Sequence, residues 1–153
     1  MRAVVQRVSS ASVKVENNLI SQIEQGMLIL LGIKKGDTKK EAELLAKKII
    51  NLRIFSDKED KMNLSLLDIS GKVIVVSQFT LYGNCKKGRR PSFVQAALPE
   101  TADSLYKYFV GCLNNYNIQV KTGKFQAMMQ VQLINDGPVT FILDSDELQG
   151  KYK

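Results

Sequence analysis

Two apolar runs set the narrowest limits on what this chain can fold into. Met27-Leu28-Ile29-Leu30-Leu31 holds no polar residue, and a run of that length reads as a strand covered on both faces. Lys72 to Phe79 (Lys-Val-Ile-Val-Val-Ser-Gln-Phe) is the strongest β segment in the chain. Around them lie further strand signals. Ala3, Val5 and Val8 alternate poorly, whereas Ala11, Val13 and Val15 alternate cleanly with Ser12, Lys14 and Glu16. Asn17-Asn18 marks a turn into a short return strand over 19–23. Arg53 to Phe55 is a further short strand, followed by a polar loop over 57–63. Segments 118–121, 128–134 and 139–143 supply three more strands, with Asp136-Gly137-Pro138 separating the last two.

Only two stretches have helical spacing. Thr38 with Glu41 three residues on is a capping-box pattern, and Ala42, Leu45, Ala46, Ile49 and Ile50 form one apolar stripe behind it. Pro99 suits a first helical turn, and Ala102, Leu105, Tyr106, Phe109, Val110 and Leu113 continue the pattern. Many strands, two main helices and short connections predict an α+β fold: a single domain with a largely antiparallel, barrel-like sheet. A doubly wound sheet is not expected, because strands and helices do not alternate. The domain spans 1–143, and 144–153, with little to pack, reads as a flexible C-terminal tail.

Composition narrows the chemistry. Among 153 residues there is no histidine. That removes a Ser-His-Asp triad, a Cys-His pair, a His general base and any His-ligated metal. Cys85 and Cys112 are too few for a zinc site built of thiolates, so neither metal nor cofactor is expected. Lys and Arg outnumber Asp and Glu by 22 to 15, a net charge of +7, which makes a polyanion such as nucleic acid the first partner to consider. The longest apolar run falls short of the about 18 residues a membrane span needs. No secretory signal pattern opens the chain. A soluble, cytoplasmic protein with no membrane partner is the expectation.

Four places carry possible chemistry. Ser77-Gln78-Phe79-Thr80 puts a polar run at the end of the most buried-looking strand, where side chains usually avoid polarity. Either its hydroxyls cap a turn, or its hydroxyls and backbone N–H groups face a pocket and hold an oxygen of a substrate. Thr80 as a nucleophile lacks an activating base in the adjacent sequence. Lys86, Lys87, Arg89 and Arg90 cluster on a Gly-containing loop, either as a solvated surface or as phosphate contacts. Gly137-Pro138 is either a plain turn or a rigid backbone wall able to exclude one stereoisomer of a ligand. Phe125, Met128 and Met129 form an apolar wall, read as core packing or as a surface on which a base stacks.

Together these residues resemble the D-aminoacyl-tRNA deacylase family, also called D-tyrosyl-tRNA deacylase, over residues 1 to about 143. The opening Met1-Arg2-Ala3-Val4-Val5-Gln6-Arg7-Val8 is similar to the family start. Arg53-Ile54-Phe55-Ser56-Asp57 with Lys61-Met62-Asn63 is a second block, and Arg90-Pro91-Ser92-Phe93 a third. Ser77-Gln78-Phe79-Thr80-Leu81 is the first signature. Thr122-Gly123-Lys124-Phe125 leads into Asn135-Asp136-Gly137-Pro138-Val139-Thr140, the second. The resemblance implies hydrolysis of the ester that joins a D-amino acid to the 3′-terminal adenosine of tRNA, with glycyl-tRNA as a further substrate.

The resemblance also implies a homodimer whose two signatures meet across the subunit interface. Gly137 and Pro138, joined by a cis bond, would be a chiral filter, with Arg7 as its support. Ser77, Gln78, Phe79 and Thr80 would form the pocket floor, and Phe125 and Met129 would line the adenosine site. Gln126 and Met128 depart from the smaller and acidic residues expected in that block. Two other readings stay open: a non-catalytic basic module that binds RNA or DNA, and an editing domain for misattached L-amino acids.

Overall fold

The computed structural model describes residues 1–150; Lys151 to Lys153, the end of the expected tail, lie outside the described residues. The chain runs through β1 (Arg2–Val15), β2 (Asn18–Ile23), β3 (Gly26–Gly32), α1 (Lys39–Ile50), β4 (Phe55–Ser56), β5 (Met62–Leu64) and β6 (Lys72–Ser77). A 3₁₀ turn (Phe79–Tyr82), α2 (Pro99–Asn114), β7 (Gln119–Thr122), β8 (Gln130–Asp144) and α3 (Ser145–Leu148) follow. The main sheet has the order β2-β1-β3-β6-β7, with β8 added on β1. It curls until β2 lies against β6 and β7, giving the α+β, barrel-like architecture expected.

Antiparallel pairing joins β1 to β2, β3 and β8, while β3–β6 and β6–β7 are parallel. The parallel pairs arise because α1 and α2 each carry a crossover, which the scattered strand signals hid. They also explain the continuous apolar runs. Met27, Ile29 and Leu31 of β3 and Val73 and Val75 of β6 pack with both helices. Leu28, Ile74 and Val76 face a second core with Val8, Ala11, Val13 and Ile23. Each run thus alternates between two interiors, and both faces are apolar.

The poor alternation at the start of β1 has a register cause. Val8 pairs with Asn135 and Ser10 with Ile134, so one extra residue bulges on β1. Ala3 and Val5 face the helices, whereas Ala11 and Val13 face the second core, the face change that a one-residue bulge produces. On the other side, Gln6 pairs with Thr140 but Val8 pairs with Asn135. Residues 136–139 therefore loop out opposite Arg7 while β8 continues on either side. The two strands expected over 128–134 and 139–143 are one interrupted strand.

Local expectations for the helices hold. Lys40 N–H donates to the Thr38 hydroxyl (3.2 Å), and the Glu41 carboxylate accepts from the Thr38 amide at 2.8 Å. The stripe from Ala42 to Ile50 is buried. Burial pushes the Glu41 carboxyl up, but hydrogen bonds from Thr38 and from the Gln149 side chain outweigh it and hold its pKa down at about 2. A depressed folded-state pKa stabilises above the unfolded value and is lost as the pH falls through the folded one. Glu41→Gln is therefore expected to cost about 1 kcal/mol near neutral pH. The urea-midpoint gap to the parent should close as the pH drops from 4.5 to 2. A gap that stays constant over that range would remove the linkage.

The segment after β8 differs from the loose tail expected. Asp144 caps α3 by accepting from the Asp146 N–H (2.9 Å), and Ser145 is fully buried. The Met1 ammonium donates to Ser145 Oγ at 2.7 Å, Arg2 pairs with Asp144, and Lys34 pairs with Asp146. These are polar partners, so a search for apolar periodicity does not find them.

Candidate active site

The first signature occupies a junction the fold defines closely. Ser77 ends β6, and Gln78 N–H donates to Leu31 O of the neighbouring strand at 2.8 Å. The chain then turns into the 3₁₀ turn, whose first N–H groups have no acceptor within the helix. The Gln78 side-chain amide donates to Thr80 Oγ1, which leaves the Thr80 hydroxyl hydrogen free to point outward. Phe79 is half-exposed and meets Phe93 edge-on, ring centroids 5.0 Å apart.

Ser77, Gln78 and Phe79 floor a cavity of about 760 Å³, within the size range of small-molecule clefts. Phe125 and Met129 stand in its wall with Gln126, Met128 and Val131. The Met129 sulfur accepts from the Lys124 N–H at 3.4 Å, and a side-chain carbon on Gly123 would lie 2.7 Å from that sulfur. Gly123 thus leaves the room that Met129 fills. Tyr106 supports the wall: its ring lies 6.0 Å from that of Phe125, and its hydroxyl donates to Val75 O at 2.7 Å.

Gly137 and Pro138 do not line this cavity. They stand exposed on the looped-out part of β8, joined by a cis bond. Their support is buried beneath them. Arg7 is only 9% exposed; it donates to Asp136 O (2.8 Å) and Ile54 O (2.7 Å). Asn135 accepts from Val139 N–H at 2.7 Å and donates to Thr140 Oγ1 at 2.9 Å. The loop is braced from below and presents bare backbone outward. Within one chain Gly137 and Pro138 therefore lie outside the cavity that the first signature floors.

Lys86, Lys87, Arg89 and Arg90 are exposed on a loop closed by reciprocal hydrogen bonds between Asn84 and Ser92. None of the four lines the cavity, but Phe93 at the end of the same loop does. Sequence reasoning missed the other rim: Lys35, together with Ala96, Ala97, Leu98 and Pro99. The Lys34-Lys35-Gly36-Asp37 stretch carries a turn signal and nothing more. Its approach to the cavity depends on a hydrogen bond from Lys35 N–H to Gln95 O (3.0 Å), a pairing invisible in sequence. Among the described residues no three His, Cys, Asp or Glu side chains cluster as a metal site.

The profile of the family described as D-Tyr-tRNA(Tyr) deacylase matches residues 4–144. The chain belongs to this D-aminoacyl-tRNA deacylase family. The family is one of hydrolases, and relatives bearing its name are close. The D-aminoacyl-tRNA deacylase of Thermosipho africanus is 57% identical over 148 residues, covering 97% of this chain and 99% of that one. The D-aminoacyl-tRNA deacylase of Geotalea uraniireducens is 61% identical over 145 residues, covering 95% and 94%. Among solved structures, the c-Myc DNA Unwinding Element Binding Protein superposes with a TM-score of 0.88 at 44% identity, covering 94% of this chain and 98% of that one. A eukaryotic protein described as a probable D-amino acid tRNA deacylase shares the fold, with a TM-score of 0.78 at 17% identity over 93% and 97% of the two chains. No helix of this deacylase among the described residues is long and apolar enough to cross a membrane.

Proposed function

We propose that this deacylase hydrolyses the ester of D-aminoacyl-tRNA in a site shared by two copies of the chain, with Gly137-Pro138 of one facing the floor that Ser77, Gln78 and Phe79 form in the other; Thr80, the next residue, lies off the cavity lining. The observation that carries this reading is the separation of a braced, exposed backbone wall from the cavity it resembles a part of. β8 pairs only with β1 among the described residues, and exposes Ile134, Phe141 and Ile142 along its length. An unpaired edge with exposed apolar side chains favours a partner, and a second copy placed there brings its own loop.

In that arrangement Phe125 and Met129 stack the terminal adenine, and first-turn N–H groups at Phe79 and Thr80 stabilise the oxyanion. Water attacks the ester carbonyl, the carbonyl π electrons move to oxygen, and collapse expels the ribose oxygen, which takes a proton. An L side chain points at the backbone wall and collides. A D side chain points away, and glycine has none to collide, so glycyl-tRNA is a second substrate. The basic loop at Lys86, Lys87, Arg89 and Arg90 meets phosphates of the tRNA body.

Purified protein is given one tRNA charged in parallel with D-tyrosine, L-tyrosine or glycine, and release is followed. D-tyrosine and glycine are expected to be freed and L-tyrosine retained. Thr80→Ala should keep most of the D-activity, because no base beside Thr80 activates it. Loss of several orders of magnitude in a folded variant would make Thr80 the nucleophile. Salt-sensitive tRNA binding with no ester cleaved would replace the enzyme reading by a binding module.

A further inference from the structure

We propose that Lys35 is the phosphate contact of the active site, holding the 5′-phosphodiester of the substrate's terminal nucleotide at the cavity rim; this rests on the deacylase reading above. The lining around it is largely apolar: Phe79, Phe93, Leu98, Phe125 and Met128 all line the cavity. Lys35 is the one residue of formal charge in the cavity lining among the described residues. It is exposed and makes no ion pair with any described residue. Neighbouring cations differ: Lys34 is bound to Asp146, and Arg2 to Asp144.

The turn that carries Lys35 is held at both ends. Asp37 Oδ2 accepts from Lys34 N–H at 2.7 Å, Asp37 N–H donates to Lys34 O at 3.1 Å, and Lys35 N–H donates to Gln95 O at 3.0 Å. Gly36 at φ +87 closes the turn, and a side-chain carbon there would meet nothing within 4 Å, so the tight turn is a matter of backbone shape alone. Asp37 is itself pinned by the buried Met1 ammonium at 2.7 Å. A free ammonium on a fixed turn beside a base-sized apolar wall suits one phosphate next to a stacked nucleoside. An ammonium acts there as a point charge. The four cations of the 86–90 loop lie off the lining and serve more distant phosphates.

The test compares two substrates that differ only at this group: the 3′-O-D-tyrosyl esters of adenosine and of adenosine 5′-monophosphate, with D-tyrosyl-tRNA alongside. In Lys35→Met, KM for the monophosphate ester and the tRNA should rise roughly tenfold, with kcat held. KM for the adenosine ester should not change. Lys35→Arg should restore most of the difference. An equal rise for both esters would mean that Lys35 shapes the wall and carries no phosphate, and an unchanged KM for the monophosphate ester would equally overturn the proposal. If the parent protein cleaves neither ester nor the tRNA, the deacylase reading fails together with it. Cleavage by the parent with no discrimination by the variant sinks the phosphate contact alone.

Discussion

Gly137→Ala is expected to lower single-turnover hydrolysis of D-tyrosyl-tRNA by about a hundredfold or more, the cost of misplacing a positioning group by about 1 Å. Gly137 has φ +142, a conformation that L residues avoid. An added Cβ would lie 2.6 Å from Val139 Cγ2 and 3.0 Å from Val139 N. The third neighbour is an Arg7 terminal nitrogen at 3.2 Å, so the loop cannot yield without disturbing the side chain that braces it. Relief requires the wall to move, and movement of the wall is what stereochemical exclusion by backbone does not tolerate. The loop is exposed, so the same change should lower the melting temperature by only a few degrees, roughly the effect of 1–2 kcal/mol. A near-parental melt with a hundredfold slower reaction, or with L-tyrosyl-tRNA newly cleaved, is the expected pair of results. An unchanged D rate together with an unchanged D/L ratio would detach Gly137 from the filter.

How much of this was legible in the chain follows from the range of each signal. Helices α1 and α2 were readable because their caps and stripes are local: Thr38 and Glu41, or Pro99 and Leu105, lie within a few residues of each other. The strands were readable as strands, but their pairing was not. Nothing near Leu31 announces that Gln78 N–H will donate to its carbonyl, and the parallel β3–β6 pair depends on where α1 packs. The single interrupted β8 reads in sequence as two strands because a loop of the Asp136-Gly137-Pro138 type usually ends a strand; in the fold, Arg7 and Asn135 satisfy the loop's backbone and pairing resumes. The packing of Ser145–Leu148 is not legible because two of its partners, the Met1 ammonium and Lys34, lie more than a hundred residues away along the chain. In the site, the motif residues were visible as polar or bare-backbone positions in apolar surroundings. Lys35 is not, since only a turn held by Gln95 and Asp37 brings it to the cavity lining.

Asp37→Ala should destabilise the protein by about 3–5 kcal/mol, the cost of breaking a buried ion pair from one side. Its carboxylate is 2% exposed and the Met1 ammonium fully buried, 2.7 Å apart. Removing the carboxylate leaves that ammonium with Ser145 Oγ alone and leaves the Lys34 N–H without its side-chain acceptor. Asp37→Asn keeps an acceptor but no charge and should lose less. Lys61–Glu59 supplies the contrast: its partners are 66% and 72% exposed, and Lys61→Ala should change stability by about 0.5 kcal/mol or less. Denaturant melts of the three variants separate the effects. A loss under about 1 kcal/mol for Asp37→Ala would show that water reaches the ammonium when its partner is gone. The Met1–Asp37 pair ties together three distant pieces: the residue that leads into β1, the turn that carries Lys35, and α3 through Ser145. Its rupture should therefore cost substrate affinity as well as stability, and at temperatures where the variant is still folded the first loss should be in KM for phosphate-bearing substrates.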